Sequence, residues 1–374
     1  MKVLHFYKTS LPDTVGGVQI CIDQLATGLA RLGVEVDLLA LAGRGDARRP
    51  VEYNGYRLHR SRRDFEIAST AFSMSALPRF RRLAVEADIV HYHFPWPFMD
   101  AAHLLLASGK PSVVTYHSDI VRQTGWLRLY DPLGRCFLSN VDRIVATSPD
   151  YAATSPVLRR HAAKVSVIPI GIDPAGLAAA EPRRVDAWRA RLGEGFFLFI
   201  GVLRYYKGLQ FLIEAARLSG LPIVIVGSGP EEARLKAQAE GLSSIRFLGY
   251  LPEADKAAVL ALSRALVLPS HLRSEAFGIA LLEGALHGKP LISSEIGTGT
   301  SFVNRMGETG LVVPPANPQR LAEAMLRLWH EPAEARAMGE RGRSRAHKLF
   351  NADLMAQSYR ELYRDLLASR PARP

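Results

Sequence analysis

Strand and helix signals alternate along nearly the whole chain of 374 residues, and this alternation limits the folds that are open to it. Short apolar runs rich in valine, isoleucine and phenylalanine are separated by longer stretches with helical spacing of their apolar residues. Strands that are joined through helices lie parallel, and a parallel sheet is covered by helices on both faces. The pattern therefore predicts an α/β protein.

The alternation runs twice. The first series of predicted strands is Lys2–Phe6, Glu35–Leu41, Ile89–His93, Pro111–His117, Arg143–Thr147 and Val165–Ile168. The second is Phe196–Gly201, Pro222–Val226, Ile245–Leu248, Ala265–Pro269 and Pro290–Ser293. Two doubly wound, Rossmann-like domains are therefore expected to face a cleft, where the carboxyl ends of their strands bind ligands.

The domain boundaries follow from the composition between the two series. Residues 174–194 carry proline, glycine and charged residues, which is typical of a linker. We predict an N-terminal domain over residues 1–174 and a C-terminal domain over residues 190–350. The segment 351–374 contains an amphipathic helix, Leu354–Leu367.

The amino-acid composition restricts the cellular location that we expect for the protein and the classes of partner that it can bind. Purely apolar runs such as Phe196–Ile200 are too short to span a bilayer, and no secretory signal is visible at the N-terminus. The only cysteines, Cys21 and Cys136, do not make a disulfide framework or a cysteine-based zinc site, which fits a cytoplasmic protein. The net charge of +11 suits nucleic acid, an anionic membrane or phosphorylated ligands. No nucleic-acid-binding motif occurs, so nucleic acid is not expected as a partner.

Positive charge is concentrated between residues 57 and 82. The members of this cluster are Arg57, Arg60, Arg62, Arg63, Arg79, Arg81 and Arg82, with Phe65, Ile67, Phe72, Met74 and Leu77 among them. A basic cluster beside apolar residues is typical of a surface that lies on an anionic membrane. This pattern predicts peripheral attachment to the inner face of the cytoplasmic membrane. The alternative is a solvated loop followed by an ordinary amphipathic helix.

Glycine pairs follow two of the predicted strands. Gly16 and Gly17 precede the first helix, where glycine lets the backbone approach an anionic ligand, although such a turn is also common for structural reasons alone. Gly227 and Gly229 do not complete a dinucleotide fingerprint, because Glu232 stands where the third glycine belongs. No P-loop motif occurs either. A nicotinamide dehydrogenase and a P-loop nucleotidase are therefore disfavoured, and Gly229 stays a candidate for donor binding.

Two cations follow the predicted strand Phe196–Gly201. Arg204 and Lys207 are three residues apart at its carboxyl end, where they can clamp a diphosphate and stabilise its charge as it leaves. The alternative is a pair of surface cations. No Asp-x-Asp triplet occurs, so no metal clamp for a diphosphate is visible.

The carboxylates Glu275 and Glu283 are the most informative pair. Glu275 is expected in a loop and Glu283 in the second turn of the helix Phe277–His287. Between them lies a predicted phosphate site, formed by the backbone N–H groups of Ala276, Phe277, Gly278 and Ile279. A helical rise of ~1.5 Å per residue places the carboxylates roughly 12 Å apart, too far for a retaining hydrolase. The pair suits a ligand with hydroxyls on both sides of a diphosphate.

Histidines stand on two of the first-domain strands. His117 ends the strand Pro111–His117 and is expected to reach the ligand, although a core or capping role is the alternative. His91 and His93 share one face of their strand, and a structural role is favoured over a metal pair. Tyr250 and Leu251 are candidates for the pocket of the nucleotide base.

With these residues the chain resembles glycosyltransferase family 4, and the resemblance extends over its whole length. It rests on the glycine pair after the first strand, on His117, on Arg204 with Lys207, and on the Glu275–Glu283 spacing. The resemblance implies the GT-B fold, a C-terminal helix that crosses back to the first domain, and retaining transfer of a sugar from a nucleotide-sugar without a metal or other cofactor. In that family pattern Glu283 would hold the ribose, and Glu275 and His117 the sugar.

A narrower similarity involves residues 4–13 and 294–304. These segments are similar to those of bacterial O-antigen mannosyltransferases and D-rhamnosyltransferases, although Gln19 stands where such enzymes are expected to have glutamate. The similarity implies GDP-mannose or GDP-rhamnose as donor and a lipid-linked acceptor such as N-acetylglucosaminyl-diphospho-undecaprenol. Two alternatives remain at this stage, a nucleotide-sugar epimerase on the same fold and a non-catalytic sugar-nucleotide-binding protein.

Overall fold

The computed structural model describes residues 1–43, 49–67, 70–106, 109–120 and 124–369, and the chain divides into two compact units. The N-terminal unit comprises Met1–Gly171 and the residues from Ala352 onward, of which 370–374 lie outside the described residues. The C-terminal unit comprises Ile172–Asn351. Each unit has its own sheet and its own apolar core.

The N-terminal unit is built on a sheet of mostly parallel strands. Its strands are β1 Lys2–Phe6, β2 Glu35–Ala42, β3 Val51–Tyr53, β4 Tyr56–Arg62, β5 Phe65–Ile67, β6 Thr70–Phe72, β7 Ile89–Phe94, β8 Ser112–Tyr116, β9 Arg143–Ala146 and β10 Val165–Val167. Its first helices are α1 Gly17–Arg31, α2 Ala76–Glu86, α3 Pro97–Leu106, α4 Thr124–Asn140, α5 Pro149–Thr154 and α6 Pro156–Arg160. The sheet order is β10-β9-β8-β7-β1-β2-β4-β3, and β5 with β6 forms a separate hairpin.

The C-terminal unit has a six-stranded sheet in which every pair is parallel, in the order β13-β12-β11-β14-β15-β16. The strands are β11 Phe197–Ile200, β12 Ile223–Val226, β13 Ile245–Gly249, β14 Ala265–Leu268, β15 Leu291–Ser294 and β16 Gly310–Val313. The helices are α7 Pro182–Leu192, α8 Leu209–Ser219, α9 Glu232–Gln238, α10 Glu253–Leu262, α11 Ile279–Leu286, α12 Gly299–Val303, α13 Pro318–His330 and α14 Pro332–Leu349. The predicted α/β class with two doubly wound sheets is confirmed.

The last helix, α15 Ala352–Ala368, belongs to the N-terminal unit. It packs on α1, where a Cβ placed on Gly28 would lie only 2.7 Å from the Cβ of Ala356. Tyr363 of α15 also hydrogen-bonds His91 of β7 across 2.6 Å. The predicted return of the C-terminal helix to the first domain is therefore confirmed. Within the described residues, no helix combines the length and the apolar character that a membrane span requires.

Two segments differ from their sequence prediction. Residues 56–62, read from the sequence as part of a loop or a membrane patch, form β4, which pairs in parallel with β2. Residues 174–194, read as a linker, contain α7, whose Trp188 donates a hydrogen bond of 3.0 Å to Asp255 of α10. Arginines on β4, which lies between β2 and β3, and charged residues on the exposed helix α7 interrupt the apolar pattern that would reveal both elements.

The strand order of each sheet reverses at one place. In the N-terminal unit β1 lies between β2 and β7, and in the C-terminal unit β11 lies between β12 and β14. Open α/β sheets bind their ligands outside the carboxyl ends of the strands at such a reversal. The loops after β1 and β7, and those after β11 and β14, are thus the first places to look for a site.

Candidate active site

In the C-terminal unit, Lys207 and Glu275 meet at the carboxyl ends of β11 and β14. Lys207 ends a 3₁₀ turn after β11, and Glu275 lies in the loop after β14. Lys207 Nζ is 2.5 Å from Glu275 Oε2, and Ser270 Oγ donates a hydrogen bond of 3.1 Å to the same oxygen. The structure places both residues at the predicted sheet edge and adds a bond between them that the sequence pattern does not reveal.

The Lys207–Glu275 pair is largely withdrawn from solvent, with side chains that are 12% and 11% exposed. Burial alone would lower the pKa of the Lys207 ammonium, but Glu275 and Tyr206 outweigh it and raise that pKa above its ordinary value. Lys207 is therefore a positive charge held in place at neutral pH, without the freedom of a surface lysine.

Arg204 differs from Lys207 although both follow β11. It is exposed at the start of the 3₁₀ turn Tyr205–Lys207. No hydrogen bond or ion pair of its guanidinium is found in the part of the chain that the structure describes. The predicted clamp thus consists of one cation that is already bound and one that is available to an anionic ligand.

Two glycines let the backbone segments at this edge approach closely. Gly208 has a φ of +73°, and a Cβ there would lie 1.9 Å from the carbonyl oxygen of Pro269. A Cβ on Gly229 would lie 2.6 Å from the carbonyl oxygen of Leu203. Gly229 is thus needed for the packing of the loop after β12 on the loop after β11, and any role in donor binding can involve only its backbone.

Helix α11 begins two residues later than predicted. Gly278 precedes it with a φ of +84°, a conformation that separates Phe277 from the helix, which starts at Ile279. Ala276 and Phe277 are buried in the approach to the helix rather than in its first turn. The N–H of Leu281 already donates a hydrogen bond of 2.8 Å to the carbonyl oxygen of Gly278, so the predicted anion site is reduced to the N–H groups of Ile279 and Ala280.

Glu283 lies in the second turn of α11, as predicted, and is 8% exposed. Lys256 of α10 donates a hydrogen bond of 3.1 Å to Glu283 Oε1. Burial would lower the pKa of Lys256, but Glu283 and Glu253 together raise it, so the lysine remains charged. The carboxylate is consequently oriented by a buried cation on the neighbouring helix.

Residues 298–299 hold the loop that carries Glu275. Thr298 Oγ1 donates a hydrogen bond of 2.8 Å to the carbonyl oxygen of Glu275, and the Gly299 N–H donates one of 2.7 Å to the carbonyl of Ala276. A Cβ on Gly299 would lie 2.6 Å from Phe277 Cδ2. This segment belongs to the stretch 294–304 that carries the narrower sequence similarity.

Three residues of this edge escape the sequence analysis, namely Lys256, Ser270 and Thr298. Ser270 lies just past β14, and a position directly after a strand could have identified it as a candidate site residue. Lys256 and Thr298 carry no such signal, because their partners are distant in sequence. Tyr250 and Leu251 follow β13, where Tyr250 is 67% exposed and Leu251 is half-buried. Their place in a base pocket stays a prediction.

In the N-terminal unit, Gly16 and Gly17 lie where β1 is connected to α1. Gly16 is the N-cap residue, and no side chain caps the helix, which has no acidic residue in its first turn. The first N–H groups of α1 are therefore open to an anion. Gln19, the departure from the family pattern, donates a hydrogen bond of 2.5 Å to Thr9 Oγ1 and ties the loop to the helix.

His117 follows β8 directly and is 6% exposed. Its Nε2 lies 2.9 Å from Nδ1 of His93, and burial lowers the pKa of its ring to about 3, so the ring is neutral. Asp119 does not orient it by a described contact; instead Asp119 accepts hydrogen bonds of 2.9 Å from Tyr116 and from Ser155. His117 therefore unites the two alternatives, because it is buried yet lies at the carboxyl end of its strand.

The basic cluster of residues 57–82 is largely paired with carboxylates. Its pairs are Arg57 with Asp37 (2.8 Å) and Glu35, Arg60 with Asp13 (2.7 Å), Arg62 with Asp64 (3.2 Å) and Arg63 with Glu66 (2.8 Å). Arg81 and Arg82 of α2 are exposed and make no ion pair with a described residue. Three apolar residues are also exposed at and beside the β5–β6 hairpin: Phe65 (51%), Ile67 (51%) and Met74 (70%). We call these three residues the hairpin patch. Residues 68–69 of the predicted cluster lie outside the described residues.

Two family models match this chain. The model described as Glycosyltransferase Family 4 matches residues 15–175, and the model described as Glycosyl transferases group 1 matches residues 182–345. The chain is 53% identical to the D-rhamnosyltransferase WbpZ of Pseudomonas aeruginosa, over 94% of this chain and 93% of that protein. It is 48% identical to the O-antigen chain mannosyltransferase C of Escherichia coli, over 99% of this chain and 100% of that protein.

Solved structures share the fold at lower identity. Sucrose-phosphate synthase from Thermosynechococcus elongatus superposes with a TM-score of 0.81 at 24% identity, over 99% of this chain and 100% of that one. Anabaena Alr3699/HepE in complex with UDP superposes with a TM-score of 0.76 at 20% identity, over 98% and 100%.

Proposed function

This chain belongs to glycosyltransferase family 4 and has the GT-B fold, and from that premise we propose that it is a retaining hexosyltransferase that uses a GDP-sugar. The donor is proposed to be GDP-mannose or GDP-rhamnose, and the acceptor a lipid-linked sugar such as N-acetylglucosaminyl-diphospho-undecaprenol in O-antigen synthesis. Support for the sugar and the pathway comes from the two relatives named a D-rhamnosyltransferase and an O-antigen mannosyltransferase.

The observation that carries the proposal is the buried Lys207–Glu275 pair at the strand-order reversal of the C-terminal sheet. A nucleotide-sugar reacts by breaking the bond between its anomeric carbon and a diphosphate oxygen, so negative charge grows on the leaving diphosphate. A cation that is already in position stabilises this charge without reorganisation. Lys207 meets that condition, since its Nζ is fixed by Glu275 and the carboxylate is fixed by Ser270.

Two further groups suit the diphosphate. The exposed guanidinium of Arg204 can form a bidentate bond with phosphate oxygens, and the first two residues of α11, Ile279 and Ala280, offer their backbone N–H groups. We therefore assign the diphosphate to Arg204, Lys207 and the start of α11. Because these groups supply the positive charge, the proposal needs no metal ion.

The carboxylates are proposed to hold hydroxyl groups. Glu283, oriented by Lys256, is assigned to the ribose hydroxyls of the donor, and Glu275 to hydroxyls of the transferred sugar. A carboxylate offers acceptor sites to two hydroxyls at once, and a bound lysine fixes its orientation. Tyr250 and Leu251, just past β13, remain the proposed neighbours of the base.

The N-terminal unit is proposed to contribute His117 and the Gly16–Gly17 turn. His117 is neutral and can exchange a hydrogen bond with a sugar oxygen, and the open start of α1 can receive an anionic group of a substrate. In the transfer the acceptor oxygen bonds to the anomeric carbon while the nucleoside diphosphate leaves. The family pattern supports attack from the face that the diphosphate leaves, so the configuration is retained.

Product stereochemistry tests the retaining assignment directly. The transfer product of GDP-α-mannose on a soluble analogue of the N-acetylglucosaminyl-diphospholipid is examined by NMR, using the one-bond carbon–hydrogen coupling of the new anomeric centre. An α-linked product is expected. A β-linked product contradicts retention while leaving the family assignment intact.

We also propose that the hairpin patch attaches the enzyme to the membrane that carries its acceptor. Three exposed apolar side chains on one short hairpin can insert at the boundary between lipid headgroups and acyl chains. The test is flotation with vesicles of phosphatidylglycerol and phosphatidylethanolamine. Replacing Phe65, Ile67 and Met74 by serine is expected to abolish flotation, whereas Leu105→Ser, at a residue 79% exposed on α3, should leave it unchanged. Equal flotation of both variants contradicts the assignment.

A further inference from the structure

Three strands of the N-terminal unit place histidines on the same face of the sheet. His5 of β1 pairs in register with His91 of β7, and His93 of β7 pairs with Thr115 of β8. Residues two apart on a strand point to the same side, so His93 lies beside His91, and His117 follows Thr115 on that side. The register alone thus produces a diagonal row that runs from the interior at His5 to the carboxyl end of β8.

The histidines of this row are joined by hydrogen bonds through their rings. His5 Nδ1 lies 3.0 Å from His93 Nε2, and His93 Nδ1 lies 2.9 Å from His117 Nε2. The ring of His93 is nearly coplanar with both neighbours, at interplanar angles of 19° to His5 and 24° to His117, and its centroid lies 5.3 Å and 5.2 Å from theirs. We call these three residues the histidine ladder.

The helix α15 covers the inner part of this face. Tyr363 OH lies 2.6 Å from His91 Nδ1, and Thr115 Oγ1 lies 2.7 Å from both His91 Nε2 and Tyr359 OH. Nitrogens of His5, His91 and His93 lie within 4.8 Å of one another, a spacing that a metal ion could use. Both nitrogens of His91 are already engaged by hydroxyl groups, however, so hydrogen bonds account for this cluster better than a metal does.

The ladder is neutral, because burial lowers the pKa of His5 and of His117 to about 3 and that of His93 well below its ordinary value. A neutral imidazole has one N–H and one acceptor nitrogen, so every link needs one donor and one acceptor. The tautomers are therefore coupled, and only two arrangements satisfy both links. Either all three rings carry the proton on Nδ1, or all three carry it on Nε2.

The inner end of the ladder distinguishes the two arrangements. His5 Nε2 is buried and has no hydrogen-bond partner among the described residues. Protonation on Nε2 throughout would leave a buried N–H without an acceptor there, and orphaned buried N–H groups are rarer than unused acceptors. Protonation on Nδ1 leaves only a lone pair unused. At the outer end of the ladder, protonation on Nδ1 makes this nitrogen of His117 a hydrogen-bond donor. That nitrogen has no bond to any described residue.

We propose that His93 is a positioning residue which, through the histidine ladder, holds His117 as the neutral Nδ1–H tautomer and presents that N–H as a donor to an oxygen of the bound sugar. The inference rests on the proposed function for the identity of that oxygen. The tautomer itself is a property of the free protein and can be measured without substrate.

Two replacements of His93 separate its two bonds. An asparagine amide falls near the position of Nδ1 and can donate to His117 Nε2, whereas a glutamine amide reaches the position of Nε2 and faces His5. His93→Asn should keep kcat within about threefold, and His93→Gln should lower kcat about 10-fold with an unchanged KM for the donor, as for the loss of one oriented hydrogen bond. A matched control is His103→Asn, at a buried histidine of α3 that bonds Tyr92 and Asn140 and lies outside the ladder.

The decisive readout is the imidazole ¹⁵N spectrum of the free protein labelled at histidine, with the His117 signals assigned from a His117→Gln sample. We expect the Nδ1–H tautomer for His117 in the wild type, in His93→Asn and in His103→Asn, and a mixture of tautomers in His93→Gln. An Nε2–H tautomer in the wild type, or equal losses of kcat in His93→Gln and His103→Asn, would overturn the proposal. If no donor supports turnover, the proposed function fails, whereas the spectrum still decides the tautomer of His117.

Discussion

The two units differ in the polar side chains that they bury near the strand-order reversals of their sheets, although the N-terminal unit also pairs its buried Asp37 with Arg57. The N-terminal unit buries histidines whose rings are neutral because burial lowers their pKa, namely His5, His91, His93, His103 and His117. The C-terminal unit instead matches the buried carboxylates Glu275 and Glu283 with Lys207 and Lys256. Both arrangements include groups next to the strand-order reversal of their own sheet.

This difference shows how similar scaffolds can serve two tasks. A hydrogen bond between neutral rings has a direction and can impose a tautomer, whereas an ion pair keeps a charge in one place. The proposed leaving diphosphate needs fixed positive charge, which the Lys207–Glu275 pair of the C-terminal unit can supply. A sugar hydroxyl needs an oriented donor or acceptor, which the histidine ladder provides.

Acid sensitivity should reveal the largest contrast between the units. Burial lowers the pKa of His5 and of His117 from the ordinary 6.5 to about 3 in the folded protein, so below pH 6.5 the unfolded chain binds more protons. The free energy of unfolding of the N-terminal unit therefore falls as the pH falls, by about 1.4 kcal/mol per pH unit for each histidine, until the pH approaches the folded pKa. Hydrogen exchange of peptides from β1, β7 and β8, compared with peptides from β11 and β14, measures this between pH 6.5 and about 4.5.

The substitution His5→Phe tests the predicted acid sensitivity of the N-terminal unit more specifically. His5→Phe removes one titrating ring, so the pH slope of the N-terminal unit should fall by about 1.4 kcal/mol per unit. In the described part of the C-terminal unit, the one histidine with a lowered pKa is the half-buried His271. If both units lost the same protection from hydrogen exchange between pH 6.5 and about 4.5, the predicted difference in their acid sensitivity would be contradicted.

Loss of the fixed charge should have the next largest effect. Lys207→Ala is expected to lower kcat by about 100-fold or more, because one preorganised stabiliser of the leaving diphosphate is gone. Steady-state release of nucleoside diphosphate measures it. Lys236→Ala, at an exposed lysine paired with Glu232, is the matched control and should be silent. An unchanged rate in Lys207→Ala would end the role assigned to this cation.

A smaller effect is expected from Glu283. Glu283→Gln keeps the shape of the side chain but removes its charge and one acceptor for the ribose, so GDP should bind about 10-fold more weakly by calorimetry. Glu214→Gln, at an exposed glutamate of α8, should bind GDP as the wild type does. Unaltered affinity in Glu283→Gln argues against ribose binding at this position.

The smallest expected effect concerns Lys256, which touches the donor site only through Glu283. Lys256→Met should weaken GDP binding about threefold, because the carboxylate loses the group that orients it. In the double variant with Glu283→Gln the effect of Lys256→Met should disappear, as it must if the lysine acts through that glutamate. Additive losses would indicate a separate contact.

The elements that sequence predicts best are those buried on both faces. The parallel strands β1, β2, β11 and β12 appear as continuous apolar runs, and their predicted bounds agree with the structure within about one residue. β4 is not recognisable from the sequence because Arg57 and Arg60 interrupt its apolar pattern, and the carboxylates that pair with them, Asp37 and Asp13, are distant in sequence. The start of α11 was misplaced because the left-handed conformation of Gly278 separates it from the apolar run that precedes it.

For the candidate site, the sequence predicts where the residues lie relative to the strand ends, but not which residues they bond. Residues just past a strand end are identifiable, and this places Lys207, Glu275 and His117. That Lys207 bonds Glu275 depends on β11 lying beside β14, and that His5 belongs to the row of His93 depends on the register of β1 with β7. Strand order and register come from the packing of whole elements, which no local pattern contains.

The central claim is that this glycosyltransferase moves mannose or rhamnose from a GDP-sugar to a lipid-linked sugar. The most direct test is the release of nucleoside diphosphate from GDP-mannose, GDP-rhamnose, UDP-glucose and UDP-N-acetylglucosamine, each with and without the N-acetylglucosaminyl-diphospholipid. We expect GDP to be released from one of the GDP-sugars only when the acceptor is present. Release from a UDP-sugar alone, conversion of the donor without acceptor as an epimerase would show, or tight donor binding with no release would contradict it.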